Sequence, residues 1–79
     1  MWWYRKENVI KKKRVKHCTV FLYATTEMLW QIVVLKKEEI IYTKAYVFTP
    51  RVKAQVCLQG RREFKAVVHK LWKNEPLYL

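Results

Sequence analysis

The chain has 79 residues, with 17 Lys and Arg against 6 Glu and a formal net charge of +11. It contains one Gly and two Cys, and neither Ser nor Asp. That size limits it to one small core, two cysteines cannot build a disulfide framework, and the missing Ser and Asp remove a Ser–His–Asp triad and an Asp-ligated Mg²⁺ or EF-hand site.

Charge is concentrated at the start. Residues 1–16 hold Arg5, Lys6, Lys11, Lys12, Lys13, Arg14 and Lys16 against Glu7 alone, behind the aromatic cluster Trp2-Trp3-Tyr4. This stretch is expected as a basic N-terminal arm, with residues 17–79 forming a single small α+β domain. A block of cations gains most from a polyanion, because each Lys or Arg near a phosphate releases condensed counterions. Lys11–Lys16, KKKRVK, resembles a monopartite nuclear localisation signal, and the same run would serve as a phosphate-binding arm.

The next 19 residues, 17–35, carry one formal charge. A membrane span is not expected there, because Glu27 would cost about 2–3 kcal/mol at a bilayer centre. β-Branched and aromatic residues dominate, so the segment reads as two strands, His17–Ala24 and Met28–Leu35, reversing at Ala24–Glu27. No small-x-small cleavage site follows the charged region, so export is not expected. Reduced thiols at Cys18 and Cys57, in the cytoplasm or nucleus, are expected instead.

Lys36-Lys37-Glu38-Glu39 forms a polar turn, and Ile40–Phe48 a third strand. Thr49-Pro50-Arg51 breaks it. Val52–Leu58 alternates apolar and polar residues, which predicts a fourth strand. Beyond Gly60 the period changes: Phe64, Val67, Val68, Leu71 and Trp72 make one stripe of an amphipathic helix. Glu63 in its first turn and Lys70 and Lys73 in its last match the macrodipole, and Asn74 and Pro76 end it. The expected fold is α+β: a small antiparallel sheet of three to four strands, one C-terminal amphipathic helix on one face, and the basic arm.

If Val20, Ile32, Val47 and Val56 meet the helix, the opposite face shows Thr19, Phe21, Tyr23, Gln31, Tyr42, Lys44, Tyr46, Lys53 and Gln55. Rings interleaved with lysines suit single-stranded nucleic acid, whose bases stack while Lys tracks the phosphates. The alternative is that the aromatic arm or a second subunit covers these rings. Lys44-Ala45-Tyr46-Val47-Phe48 slightly resembles the RNP1 pattern of RNA-recognition motifs, with Ala45 and Val47 where that pattern has glycine and a small residue. Gly60-Arg61-Arg62 and Lys65, at the expected helix start, resemble in architecture the final helix of double-stranded-RNA-binding domains, which implies phosphate contacts there.

His17, Cys18, Cys57 and His69 lack the paired spacing of a zinc site, so neither metal nor cofactor is expected. Glu38-Glu39 beside Lys36-Lys37 reads as a solvated loop, and one Gly permits no phosphate loop, so an enzyme is not expected. The functional expectation is a small, strongly basic module binding nucleic acid, RNA before DNA, with low sequence specificity, of the kind found as a component of a ribonucleoprotein such as a ribosome. Its contacts would be Lys11, Lys12, Lys13, Arg14 and Lys16 on the arm, Lys44, Tyr46 and Lys53 on the sheet, and Arg61, Arg62 and Lys65 at the helix start. The alternative is a viral or accessory protein-interaction module that binds an acidic protein surface, with exposed rings as a contact to a protein partner or a second copy.

Overall fold

A computed structural model describes residues 8–26 and 29–77. Four strands, β1 (Val9–Val15), β2 (Cys18–Thr26), β3 (Leu29–Lys36) and β4 (Glu39–Val47), lead through a 3₁₀ turn at Pro50–Val52 into one helix, α1 (Lys53–Trp72). The strands form one antiparallel sheet in the order β1-β2-β3-β4. This is the expected α+β fold, with the helix on one face.

Two elements differ from the sequence reading. The basic run is a strand, not an arm: β1 pairs with β2 from Val9↔Tyr23 to Val15↔Cys18. Its own residues carry no apolar alternation, but β2 offers a full row of backbone partners and a tight reversal at Lys16-His17. An edge strand tolerates charge on both faces, because lysine stems lie along apolar neighbours while the ammonium stays wet. The aromatic residues Trp2, Trp3 and Tyr4 lie outside the described residues.

The second difference is Val52–Leu58, which is helical from Lys53 onward. Val56 is in register with the rest of the helix rather than with a strand: Val56, Gly60, Phe64 and Val67 are its buried positions, spaced at four, four and three. Ala54 and Leu58, expected to share a strand face with Val56, are exposed. Pro50 therefore opens a helix instead of merely ending a strand. Its fixed φ suits a first helical turn, where its missing N–H costs nothing. Gly60 marks no boundary. It lies inside the helix, where α1 packs against the Trp30 ring.

The helix-facing core holds Cys18, Val20, Leu22, Trp30, Ile32, Val34, Tyr42, Phe48, Val56, Phe64 and Val67. On the other face Phe21, Tyr23, Val33 and Leu35 form a second buried cluster. Register explains the division. Trp30↔Tyr46, Ile32↔Lys44 and Val34↔Tyr42 are directly opposed, and directly opposed residues share a face. Tyr42, Lys44 and Tyr46 therefore lie on the helix side, not on the outer face expected for them. Val47, opposite Leu29, is on the outer side instead.

Candidate functional site

Cations on β1 alternate in direction. Lys11↔Leu22 and Lys13↔Val20 are opposed, while Lys12 meets Phe21 and Arg14 meets Thr19. Leu22 and Val20 belong to the helix-facing core, so Lys11 and Lys13 lean toward α1 and Lys12 and Arg14 lean away. Lys11 Nζ sits 5.7 Å from the Phe64 ring centroid, and Lys12 Nζ sits 5.6 Å from that of Phe21.

The gap between β1 and α1 is a groove of about 350 Å³, lined by Lys11, Lys13, Phe64, Lys65, Val68, His69 and Trp72. The helix supplies its wall by spacing: Lys65, Val68, His69 and Trp72 fall three and four apart, on one surface. Phe64 is buried and forms the floor, whereas Trp72 is 55% exposed at the rim. Three lysines thus surround two aromatic rings, with no carboxylate in the lining.

Two other hollows differ from the groove in charge. One, about 400 Å³, is lined by Lys44, Tyr46, Gln59, Arg62, Glu63 and Ala66. There Glu63 accepts a hydrogen bond from the Tyr42 hydroxyl at 3.1 Å and pairs with Lys44 at 3.9 Å. Burial, and then the Glu63 charge, push the Tyr42 hydroxyl up to about 12. Lys44 also lies 5.5 Å from the Tyr46 ring centroid, so it is engaged on two sides. The other, about 430 Å³, lies where the Lys16-His17 turn meets Asn74-Glu75-Pro76. Lys16 Nζ donates to Asn74 Oδ1 at 2.8 Å there, and Glu75 adds a negative charge.

The eleven residues expected to contact nucleic acid therefore separate. Lys11, Lys13 and Lys65 converge on the groove. Arg61 is one turn before Lys65 and covers the Trp30 ring at 5.6 Å. Arg62, Lys44 and Tyr46 gather on the β4 side. Lys12 and Arg14 face away, and Lys16 is tied to Asn74. Lys53 opens the helix, about 18 Å along its axis from Lys65. Arg61, Arg62 and Lys65 are in the middle of α1, so its free N–H groups and dipole do not assist them. Phe64, His69 and Trp72 join the groove without being among the residues expected from the sequence. The Lys65–His69 spacing and the position of Trp72 three further on carried that signal. No family model, curated protein or solved structure matches this chain.

Among the described residues no helix is long and apolar enough to cross a membrane. Cys18 is buried in the helix-facing core and Cys57 is half-buried on α1, both as free thiols.

Proposed function

We propose that the protein binds nucleic acid, single-stranded RNA foremost, in the groove between β1 and α1. One observation carries this reading: Lys11, Lys13 and Lys65 surround Phe64 and Trp72 in a hollow that has no carboxylate. The lysines neutralise successive phosphates, and the exposed Trp72 ring offers a stacking surface for a base. His69 adds a hydrogen-bond partner for phosphate or base. No side chain in the groove makes a bidentate pattern of the kind that reads base edges, so sequence specificity is low. Arg61 and Arg62 extend the positive field across α1 and steer a polyanion toward it. Such a ligand is met in the cytoplasm or nucleus, inside a ribonucleoprotein particle.

The test is a titration of fluorescent oligonucleotide with the nuclease-treated protein at rising salt. Log K should fall linearly with log salt, with a slope near −0.7 for each phosphate neutralised. Absence of binding at low salt, or binding indifferent to salt, overturns the proposal.

A further inference from the structure

We propose that the outer edge of β4 pairs antiparallel with β4 of a second copy of this chain, joining two sheets into one about a twofold axis. The two ends of the sheet differ. Both β1 and β4 are edge strands. Among the described residues no strand pairs with the outer side of either. An unpaired row of N–H and C=O groups invites another strand unless the edge is blunted, most often by lysine. β1 is blunted by Lys11, Lys12, Lys13 and Arg14 in succession. β4 carries one Glu and one Lys over nine residues, with no net charge, and that Lys44 already pairs with Glu63.

β4 also leaves apolar side chains in water. Ile40 is 51% exposed, Ile41 45% and Val47 77%; of these, Val47 lies in the regular stretch that would pair. Thr43, Ala45 and Val47 oppose Val33, Gln31 and Leu29, so all three lie on the face away from the helix. A strand added at this edge would lie next to Thr43, Ala45 and Val47, on the same face as the buried Val33 and Leu35.

The chain itself is the occupant that fits. An acidic partner is drawn to the cation-lined groove, not to an uncharged strand. Two copies each carrying +11 repel, and β4 is the edge where they meet without opposing rows of cations. An irregularity between Val34 and Leu35 in the pairing with β3 leaves Tyr42–Val47 as the regular stretch of β4. A twofold axis at Ala45 keeps the contact inside that stretch. Thr43 then faces Val47 of the second copy, and Lys44 faces the ring of Tyr46. An axis at Lys44 would set two lysines against each other, which is unfavourable. The isologous arrangement makes every such contact twice.

This pairing is independent of the groove, and salt separates the two. Light scattering on the full, nuclease-treated chain should give twice the 9.7 kDa chain mass at high protein concentration, and the dimer should strengthen as salt screens the net repulsion. Nucleic-acid binding should weaken over the same range. Ala45→Lys puts two lysines on the axis and should return the mass to that of one chain with the far-ultraviolet circular dichroism unchanged. Val47→Lys, at the most exposed apolar side chain, should do the same and serves if Ala45→Lys does not fold. Lys12→Ala, at the other edge, should leave the dimer intact. A single-chain mass at every concentration and salt, or a dimer untouched by both lysine variants, overturns the proposal.

Discussion

Gly60 lies directly against the Trp30 ring: a Cβ at Gly60 would stand 2.9 Å from Trp30 Cε3 and 3.7 Å from Leu22 Cδ1. Trp30 is the largest side chain of the helix-facing core, and the Arg61 guanidinium lies 5.6 Å from its ring. The helix can approach the sheet this closely because position 60 has no side chain. Helix propensity alone favours Gly60→Ala by about 1 kcal/mol. Overpacking against a rigid indole costs about 1–3 kcal/mol and opposes that gain. We expect the variant to be less stable by about 1 kcal/mol, read as a lower urea midpoint at constant m. A higher midpoint would mean that the indole gives way.

The β3–β4 reversal is built from the wrong residues for its conformation. Lys37 and Glu38 have φ of 50° and 66°, both in the left-handed region that costs a residue with a Cβ about 1 kcal/mol. Two-residue hairpins of this kind favour Asn-Gly. Glu38→Gly should therefore raise stability by up to about 1 kcal/mol, less what the added freedom of the unfolded chain removes. Thermal denaturation at neutral pH checks it. A lower midpoint would show that the Glu38 side chain contributes more than its backbone costs.

Tyr42 gives a pH signature. Its hydroxyl is pushed from 10.0 up to about 12 by burial first and by the Glu63 charge second. The folded state thus keeps the proton where the unfolded chain has lost it. The stability this lends is complete below pH 10 and disappears as pH rises through about 12. Burial raises Tyr23 as well, and lysines titrate over the same range, so the wild type alone does not isolate the effect. The difference between wild type and Tyr42→Phe does. At neutral pH the variant should lose about 1.5–3 kcal/mol, the worth of one hydrogen bond to a charged partner, here the Glu63 carboxylate. The gap should shrink above pH 10. A gap that stays constant to pH 12 would contradict the raised hydroxyl.

Alternation along β1 makes the proposed groove testable residue by residue. Lys11→Ala, Lys13→Ala and Lys65→Ala should each weaken oligonucleotide binding and reduce the salt slope by about 0.7. Lys12→Ala and Arg14→Ala remove the same charge from the opposite face and should have markedly smaller effects. Trp72→Ala should weaken binding by about 1–3 kcal/mol while leaving the slope unchanged, because stacking releases no counterions. Equal effects at positions 11 through 14 would indicate diffuse electrostatic attraction rather than a groove.

What the residues alone determined was the class of fold, the later half of the helix and the excess of positive charge. β2, β3 and β4 are rich in β-branched and aromatic residues. The helical stripe from Phe64 onward has one strong period and clear stop residues at Asn74 and Pro76. These signals are local, so no distant contact was needed to read them. The fate of Val52–Leu58 was not local. Its alternation fits a strand, and only packing of Val56 in line with Gly60 and Phe64 against the sheet selects the helix. The basic run was less legible still. Nothing in KKKR marks a strand, because the partners that make it one are the backbone groups of β2. Pairing with β2 turned one block of charge into two opposed rows, and docking of α1 brought Lys65 and Trp72 beside only one of them. Composition determined that the chain is strongly basic. Strand register and helix docking decided which cations share a surface, since side-chain direction depends on backbone pairing that adjacent residues do not encode.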